Sequence, residues 1–259
     1  MRTTVARHAA WLRAGVGVAV LLGLAEAATR ALDPPFVPAA SVVLVRVATL
    51  LTSTDFLGHV GATLRASLGG LAASTAVALP AGILLGSWSV ANAASRALVE
   101  LLRPIPSVAL IPVAILLLGH GTQMRAALVA YAAAWPILFN TIYGLRSVDP
   151  IAKDTARSFG LGRAAILLRV TVPAAAPFVA TGIRVATGIA LIVAISAELL
   201  AGGRQGLGIW MLEAGSALRP DLVYAGTVVA GLLGLAVNAG LVALERRLLP
   251  WSPALREAG

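Results

Sequence analysis

Three stretches of this chain, residues 66–86, 126–145 and 222–244, each run for at least 20 residues without a formal charge. A run of that length spans a hydrocarbon layer as a helix, because a bilayer core of about 30 Å takes roughly 20 helical residues and offers no water to a non-helical backbone. The composition agrees, with 59% apolar and only 12% charged residues. The mean hydropathy of +0.90 lies beyond that of a soluble globular domain. With no cysteine there is no disulfide and no thiolate nucleophile or ligand. His8, His59 and His120 are too scattered to suggest a metal cluster.

Three further spans are expected. Residues 178–200 contain Arg184 and Glu198, and residues 98–118 open with Glu100 and Arg103 and contain Pro104, Pro106 and Pro112. Residues 9–32 have an apolar centre behind Arg2, Arg7 and Arg13, a pattern shared with signal peptides; a retained anchor is the reading favoured. The expectation is an all-α polytopic protein, one transmembrane domain over residues 1–259 with spans at about 9–32, 66–86, 98–118, 126–145, 178–200 and 222–244. With both termini inside, one side holds Arg2, Arg7, Arg13, Arg96, Arg146, Lys153, Arg157, Arg163, Arg169, Arg246, Arg247 and Arg256, and the other holds Arg30, Arg46, Arg65, Arg125, Arg204 and Arg219. The positive-inside rule then places the connection 146–173 in the cytoplasm. The net charge of +9 reflects this orientation and not nucleic-acid binding, since the cations are dispersed between apolar runs.

The connections carry their own signals. Residues 33–38, with Pro34, Pro35 and Pro38, should be extended, and residues 39–52 place Val43, Val47, Leu50 and Leu51 on one face of a helix. Residues 201–221, with Gly202, Gly203, Gly206 and Gly208, read as a flexible outward loop. In the 146–173 connection, Asp149-Pro150 starts a short helix, Gly160 ends it, and Leu161-Gly162 turns. A second short helix over residues 163–172 carries Ile166, Leu167 and Val170 on one side, until Pro173 breaks into the next span. On its physics alone this segment is either a compact knob for a partner or a basic loop that holds topology.

The residues of this segment carry a family resemblance. Asp154-Thr155-Ala156, three residues, Gly160, nine residues, Val170, one residue, Val172-Pro173 resembles the EAA motif, E-A-A-x3-G-x9-I-x-L-P, of the membrane subunits of bacterial ABC importers. Asp154, Thr155, Val170 and Val172 depart from the consensus, while Gly160 and Pro173 keep it. Pro104 to Pro112, Gly119-His120-Gly121, Asn140-Thr141, Gly182-Ile183-Arg184, Ala197-Glu198 and Gly206-Leu207-Gly208 look like the nitrate/sulfonate/taurine branch of these permeases.

This resemblance implies a type I importer permease fold with six spans and a coupling-helix loop, in the bacterial inner membrane. It implies partners as well: two copies of a separate ATPase subunit, an extracytoplasmic binding protein and a second permease copy, most simply a homodimer. It implies no cofactor. The chain has no G-x-x-x-x-G-K-[ST], and its single lysine, Lys153, follows no Gly-rich loop, so ATP hydrolysis must come from elsewhere. Asp154, Thr155, Ala156, Gly160, Gly162, Val170, Val172 and Pro173 are the implied ATPase-coupling residues.

Glu198, Asn140 and Arg184 are the pathway candidates. Glu198, near the outer end of its span, faces a gate or subunit contact or else pairs with Arg204 at the interface. Arg184 either snorkels to headgroups or attracts an anion, and Asn140 and Asn238 suit interhelical hydrogen bonds. The prolines should bend spans three and four, and Gly82-x3-Gly86 permits close packing. An ion-coupled secondary transporter is the alternative, but Glu26, Glu100 and Glu198 near span ends do not compose a coupling-ion site. A membrane enzyme would need a nucleophile, dyad or metal cluster that the sequence lacks.

Overall fold

The structure is a computed structural model that describes residues 2–251, all helix and connection with no strand among them. Arg256, counted above among the inside cations, lies outside the described residues. In chain order the helices are α1 (Arg2–Leu32), α2 (Ala40–Leu50), α3 (Thr54–Ser87), α4 (Ser89–Leu102), α5 (Ile111–Leu118), α6 (Thr122–Arg146), α7 (Pro150–Ser158), α8 (Arg163–Ile166), α9 (Val172–Ala201), α10 (Leu207–Ser216) and α11 (Pro220–Leu248). Among the described residues five helices are long and apolar enough to cross a membrane, at Gly15–Leu32, Thr54–Ser87, Thr122–Arg146, Arg163–Ala201 and Pro220–Leu248, and the bent pair Ser89–Leu102 with Ser107–Leu118 makes a sixth if it counts as one span.

The residues group into two compact units, Met1–Leu57 with Trp210–Gly231, and Gly58–Ile209 with Leu232–Gly259. In the first, α2 buries Val43, Val47 and Leu50 as its spacing predicts, while Leu51, expected on the same face, is exposed. Its N-cap, Ala39, makes no side-chain cap bond. Glu26 of α1 replaces it, accepting hydrogen bonds from the Ser41 amide at 2.9 Å and the Ser41 hydroxyl at 2.8 Å. That carboxylate satisfies one of the orphan donors every helix N-terminus leaves. Arg46 donates to Asp221 at 2.8 Å, and the Phe56 and Trp210 rings meet edge to face at 4.7 Å.

In the second unit, α3, α6 and α9 build a core around Leu71, Leu128, Val129, Ile137, Ala190 and Ala194. The close approach depends on small residues. A Cβ on Gly82 would lie 2.7 Å from Thr141 Cβ, and one on Gly70 would lie 2.6 Å from both the Ala126 carbonyl and Val129 Cβ. Gly182 sits against Asn140 and Pro136 in the same way. Helices without a hydrophobic driving force between them gain their contact energy from such packing.

Three expectations are corrected. The third span, 98–118, is not one helix: α4 ends at Leu102, a short 3-10 turn (Ser107–Leu110) follows, and the two arms are bent by 78°. Pro106 supplies no amide for the Leu102 carbonyl. That oxygen instead accepts from the Tyr131 hydroxyl at 2.5 Å and the Ile105 amide at 3.2 Å, and Arg103 lies over the Phe139 ring at 4.7 Å. Pro173 does not break the chain into the next span. The residues before it, Leu167–Thr171, widen into a π turn, which absorbs the missing donor, so that helix continues from α8 into α9. Residues 201–221 are not merely a flexible loop, since they contain α10 after a turn through Gly202, Gly203 and Gly206 at positive φ.

Neighbouring glycines on α3 test the packing. Gly70→Ala must displace backbone and is expected to destabilise by about 1–3 kcal/mol, whereas Gly69→Ala meets nothing within 4 Å and should be neutral or stabilising. Thermal unfolding of the two variants in detergent measures the difference.

Candidate functional site

The first cluster forms where α3, α6 and α9 meet the turn before α10. Glu198 is fully buried. Its Oε1 accepts from Arg125 Nη1 at 2.7 Å, its Oε2 accepts from the Gly208 amide at 2.9 Å, and the Thr63 hydroxyl lies 2.9 Å from both oxygens. Arg125, 5% exposed, also donates to the Gln205 carbonyl at 2.8 Å and the Gly121 carbonyl at 3.2 Å. The Gly206 amide donates to His59 Nδ1 at 3.2 Å, and the Leu207 amide to the Thr63 hydroxyl at 2.8 Å. A Cβ on Gly206 would lie 2.6 Å from Glu198 Oε1, and one on Gly208 would lie 2.6 Å from the Ile195 carbonyl. Only glycine lets this turn approach the carboxylate.

Glu198 therefore pairs with Arg125 and not with Arg204. Charges taken out of water in an apolar bundle persist only when paired and hydrogen-bonded on every side, and here each carboxylate oxygen has its donors. His59, Thr63 and Arg125 were not singled out from the sequence as site residues. The available signal was the carboxylate itself: an intramembrane Glu needs a cation at its own depth, and Arg125 opens the span that neighbours it.

Arg184 and Asn140 lie elsewhere. Arg184 pairs with Glu245 of α11, its Nε is buried without a hydrogen-bond partner, and both residues line an apolar cavity of about 330 Å³. Asn140 donates to the Pro136 carbonyl at 2.8 Å within its own helix, not across helices. Glu198, Asn140 and Arg184 do not converge on one point among the described residues, since only Arg184 lines that cavity.

The second cluster is the segment after α6. Asp149 caps α7 by accepting from the Ile151 amide at 2.8 Å, with Pro150 in the first turn. Its far end closes as a Schellman motif. Gly160, at φ +80°, donates its amide to the Arg157 carbonyl at 2.8 Å, and the Leu161 amide donates to Ala156 at 3.1 Å. A Cβ at Gly160 would meet nothing within 4 Å, so it is the left-handed backbone that demands glycine there. Gly162, at φ −72°, is the N-cap of α8 and has no such need.

Ala156 is buried, while Asp154 is exposed and pairs with Arg157 one turn on. Thr155 is exposed beside it; Val170 is half-buried in the π turn, and Val172 and Pro173 begin α9. Two large apolar side chains stand out of this short polar helix, Ile151 at 72% and Phe159 at 79% exposure. Neither occupies a consensus letter of the motif.

Residues 78–250 match the family described as binding-protein-dependent transport system inner membrane component. A putative ABC transporter permease protein of Methanocaldococcus jannaschii is 35% identical over 189 residues, covering 73% of this chain and 71% of the relative. The taurine transport system permease protein of Escherichia coli is 31% identical over 225 residues, covering 85% and 82%. The nitrate import permease protein of Synechocystis sp. is 29% identical over 182 residues, covering 70% and 66%. An inward-facing structure of the MetNI methionine ABC transporter superposes with a TM-score of 0.58 at 19% identity, covering 71% of this chain and 94% of that one, which establishes the shared importer permease fold. Such permeases are multi-pass membrane subunits that catalyse no reaction themselves and work with a separate ATPase and a binding protein. The chain belongs to the binding-protein-dependent transport system inner membrane component family, as the permease subunit of an ABC importer.

Proposed function

We propose that α7 is the element through which this permease is coupled to its ATPase, and that the whole chain acts as one transmembrane domain moving a small anion inward. The observation that carries the coupling role is the exposure of Ile151 and Phe159. Ile151, Thr155 and Phe159 recur at intervals of four, so Ile151 and Thr155 share one face of α7 and Phe159, its C-cap, continues the row, while Ala156 is buried. Apolar anchors on an otherwise charged helix are the chemistry of a partner groove. Asp154 holds Arg157, Gly160 sets the turn, Gly162 starts the second arm, and the π turn through Val170 leads into Val172 and Pro173. Force applied at α7 thus passes through the Gly160 turn into α8, and from α8 into α9 through continuous helix.

The excess of Lys and Arg beside this segment supports a cytoplasmic loop and cytoplasmic termini. Two permease copies, most simply a homodimer, with two ATPase copies complete the assembly. A nitrate-, sulfonate- or taurine-like solute is supported by the taurine and nitrate permeases among the relatives. Arg184, in the cavity with Glu245, and Asn140, against Gly182, are the residues proposed to act in the pathway. Glu198 has no free acceptor for a substrate, and its part is to hold the turn before α10 as a gate element.

The test is ATP-dependent uptake of radiolabelled taurine, nitrate and an alkylsulfonate by the complete transporter in proteoliposomes; accumulation of none of these would remove the anion assignment. Ile151→Asp with Phe159→Asp is expected to weaken ATPase association at least about tenfold, the scale of losing an interface anchor, while the protein still inserts in the membrane. Pull-down of the ATPase measures it. Gly160→Val forces a branched residue into left-handed backbone at a cost of about 1–2 kcal/mol, and should lower substrate-stimulated ATP hydrolysis without abolishing assembly of the permease.

A further inference from the structure

Below the α3–α6–α9 core, two cavities follow one another along the helix axes. The apolar one, of about 330 Å³, is lined by Leu79, Ile83, Val179, Ile183, Leu241 and Leu244, with the mutually paired Arg184 and Glu245 in its wall. The second, of about 530 Å³, is bounded by Gly86, Leu145, Ile166 and Thr171 together with Lys153, Arg157 and Arg163, and no carboxylate lines it. Leu145 is a wall of both. On α3 the lining passes from Leu79 and Ile83 to Gly86 and Ser87, and from α9 into the π turn before it, it passes from Val179 and Val172 to Thr171 and Leu167. The same helices thus wall both cavities, and the cations of the second are added by α7 and α8, which line only that one.

We propose that these two cavities form one binding site for an anionic phospholipid, with its phosphate among Lys153, Arg157 and Arg163 and part of an acyl chain between Ile83, Val179 and Leu244. The charge pattern selects this occupant. Arg157 is partly neutralised by Asp154, but Lys153, which donates to the Leu145 carbonyl at 3.4 Å, and Arg163 face the cavity without a carboxylate. Basic pockets beside apolar surface at the end of transmembrane helices suit an anionic headgroup. A soluble anion would use the basic half only, and a neutral lipid the apolar half only.

A lipid in this place would contact α7, α8 and the π turn at once, bracing from behind the segment whose opposite face carries Ile151 and Phe159. The site depends on membrane embedding alone and stands whether or not α7 couples to an ATPase.

Native mass spectrometry of the intact transporter, equilibrated with phosphatidylglycerol and phosphatidylcholine, reads the enrichment of the bound anionic lipid directly. At about fivefold per cation near an anionic surface, Lys153→Gln with Arg163→Gln should lower that enrichment about 25-fold. The charge-keeping pair Lys153→Arg with Arg163→Lys should retain it, which separates lost charge from lost folding. Val179→Trp, which fills the apolar half, should release lipid with every cation in place. Unchanged enrichment in the glutamine pair or in Val179→Trp overturns the proposal, as does displacement of the lipid by millimolar inorganic phosphate.

Discussion

A carboxylate deep in an apolar helix bundle persists as an anion only if the bundle is built around it, and the Glu198–Arg125 pair sets the geometry of this one. The pair ties α9 to α6 at 2.7 Å, Thr63 adds α3, and the Gly208 and Gln205 backbone adds the turn before α10. Loss of one partner would leave the other charge buried and uncompensated, a penalty of about 3–5 kcal/mol. Gly206 and Gly208 follow from the same constraint, because any side chain there would collide with the carboxylate or its helix. Four segments, α3, α6, α9 and the turn before α10, are thereby fixed at one end of the core.

At the other end of α6 and α9 the chain meets a different requirement, to leave the bundle and return as a rigid unit. Asp149-Pro150 starts α7 and the Gly160 Schellman turn closes it. The π turn then admits Pro173 without a break, so the return is a single helix from Arg163 to Ala201. A rigid return lets a small element outside the core move a long one within it. That property is what a permease subunit lacking its own ATPase needs, and the small residues along the α6–α9 contact keep those helices at one spacing.

Much of this was legible in the sequence. Uncharged runs located α3, α6 and α11, and the spacing of Val43, Val47 and Leu50 located α2, because both signals are local. The helix that carries the uncharged run 66–86 begins earlier, at Thr54, because hydropathy marks the apolar run and not the polar turns that continue the same helix. Two residues of those turns, His59 and Thr63, serve the buried cluster. The 98–118 region was read as one span because hydropathy is blind to direction; the prolines signalled the bend without giving its 78°. Arg125 counts in the sequence only as a cation of the outer side, because the partner that reveals its role lies 73 residues away. The EAA-like spacing marks the 146–173 connection, yet Ile151 and Phe159 lie outside its consensus letters and their exposure distinguishes them.

The central claim is that the exposed face of α7 meets the ATPase. The chain has no cysteine, so a single cysteine introduced in place of Ile151 provides a unique thiol. Reaction with a short heterobifunctional cross-linker in the assembled transporter should join the permease to its ATPase subunit in high yield, with a matched cysteine replacing Leu235 of α11 giving none. Absence of the cross-link from position 151, with its thiol as reactive in the complex as in the permease alone, would contradict the account.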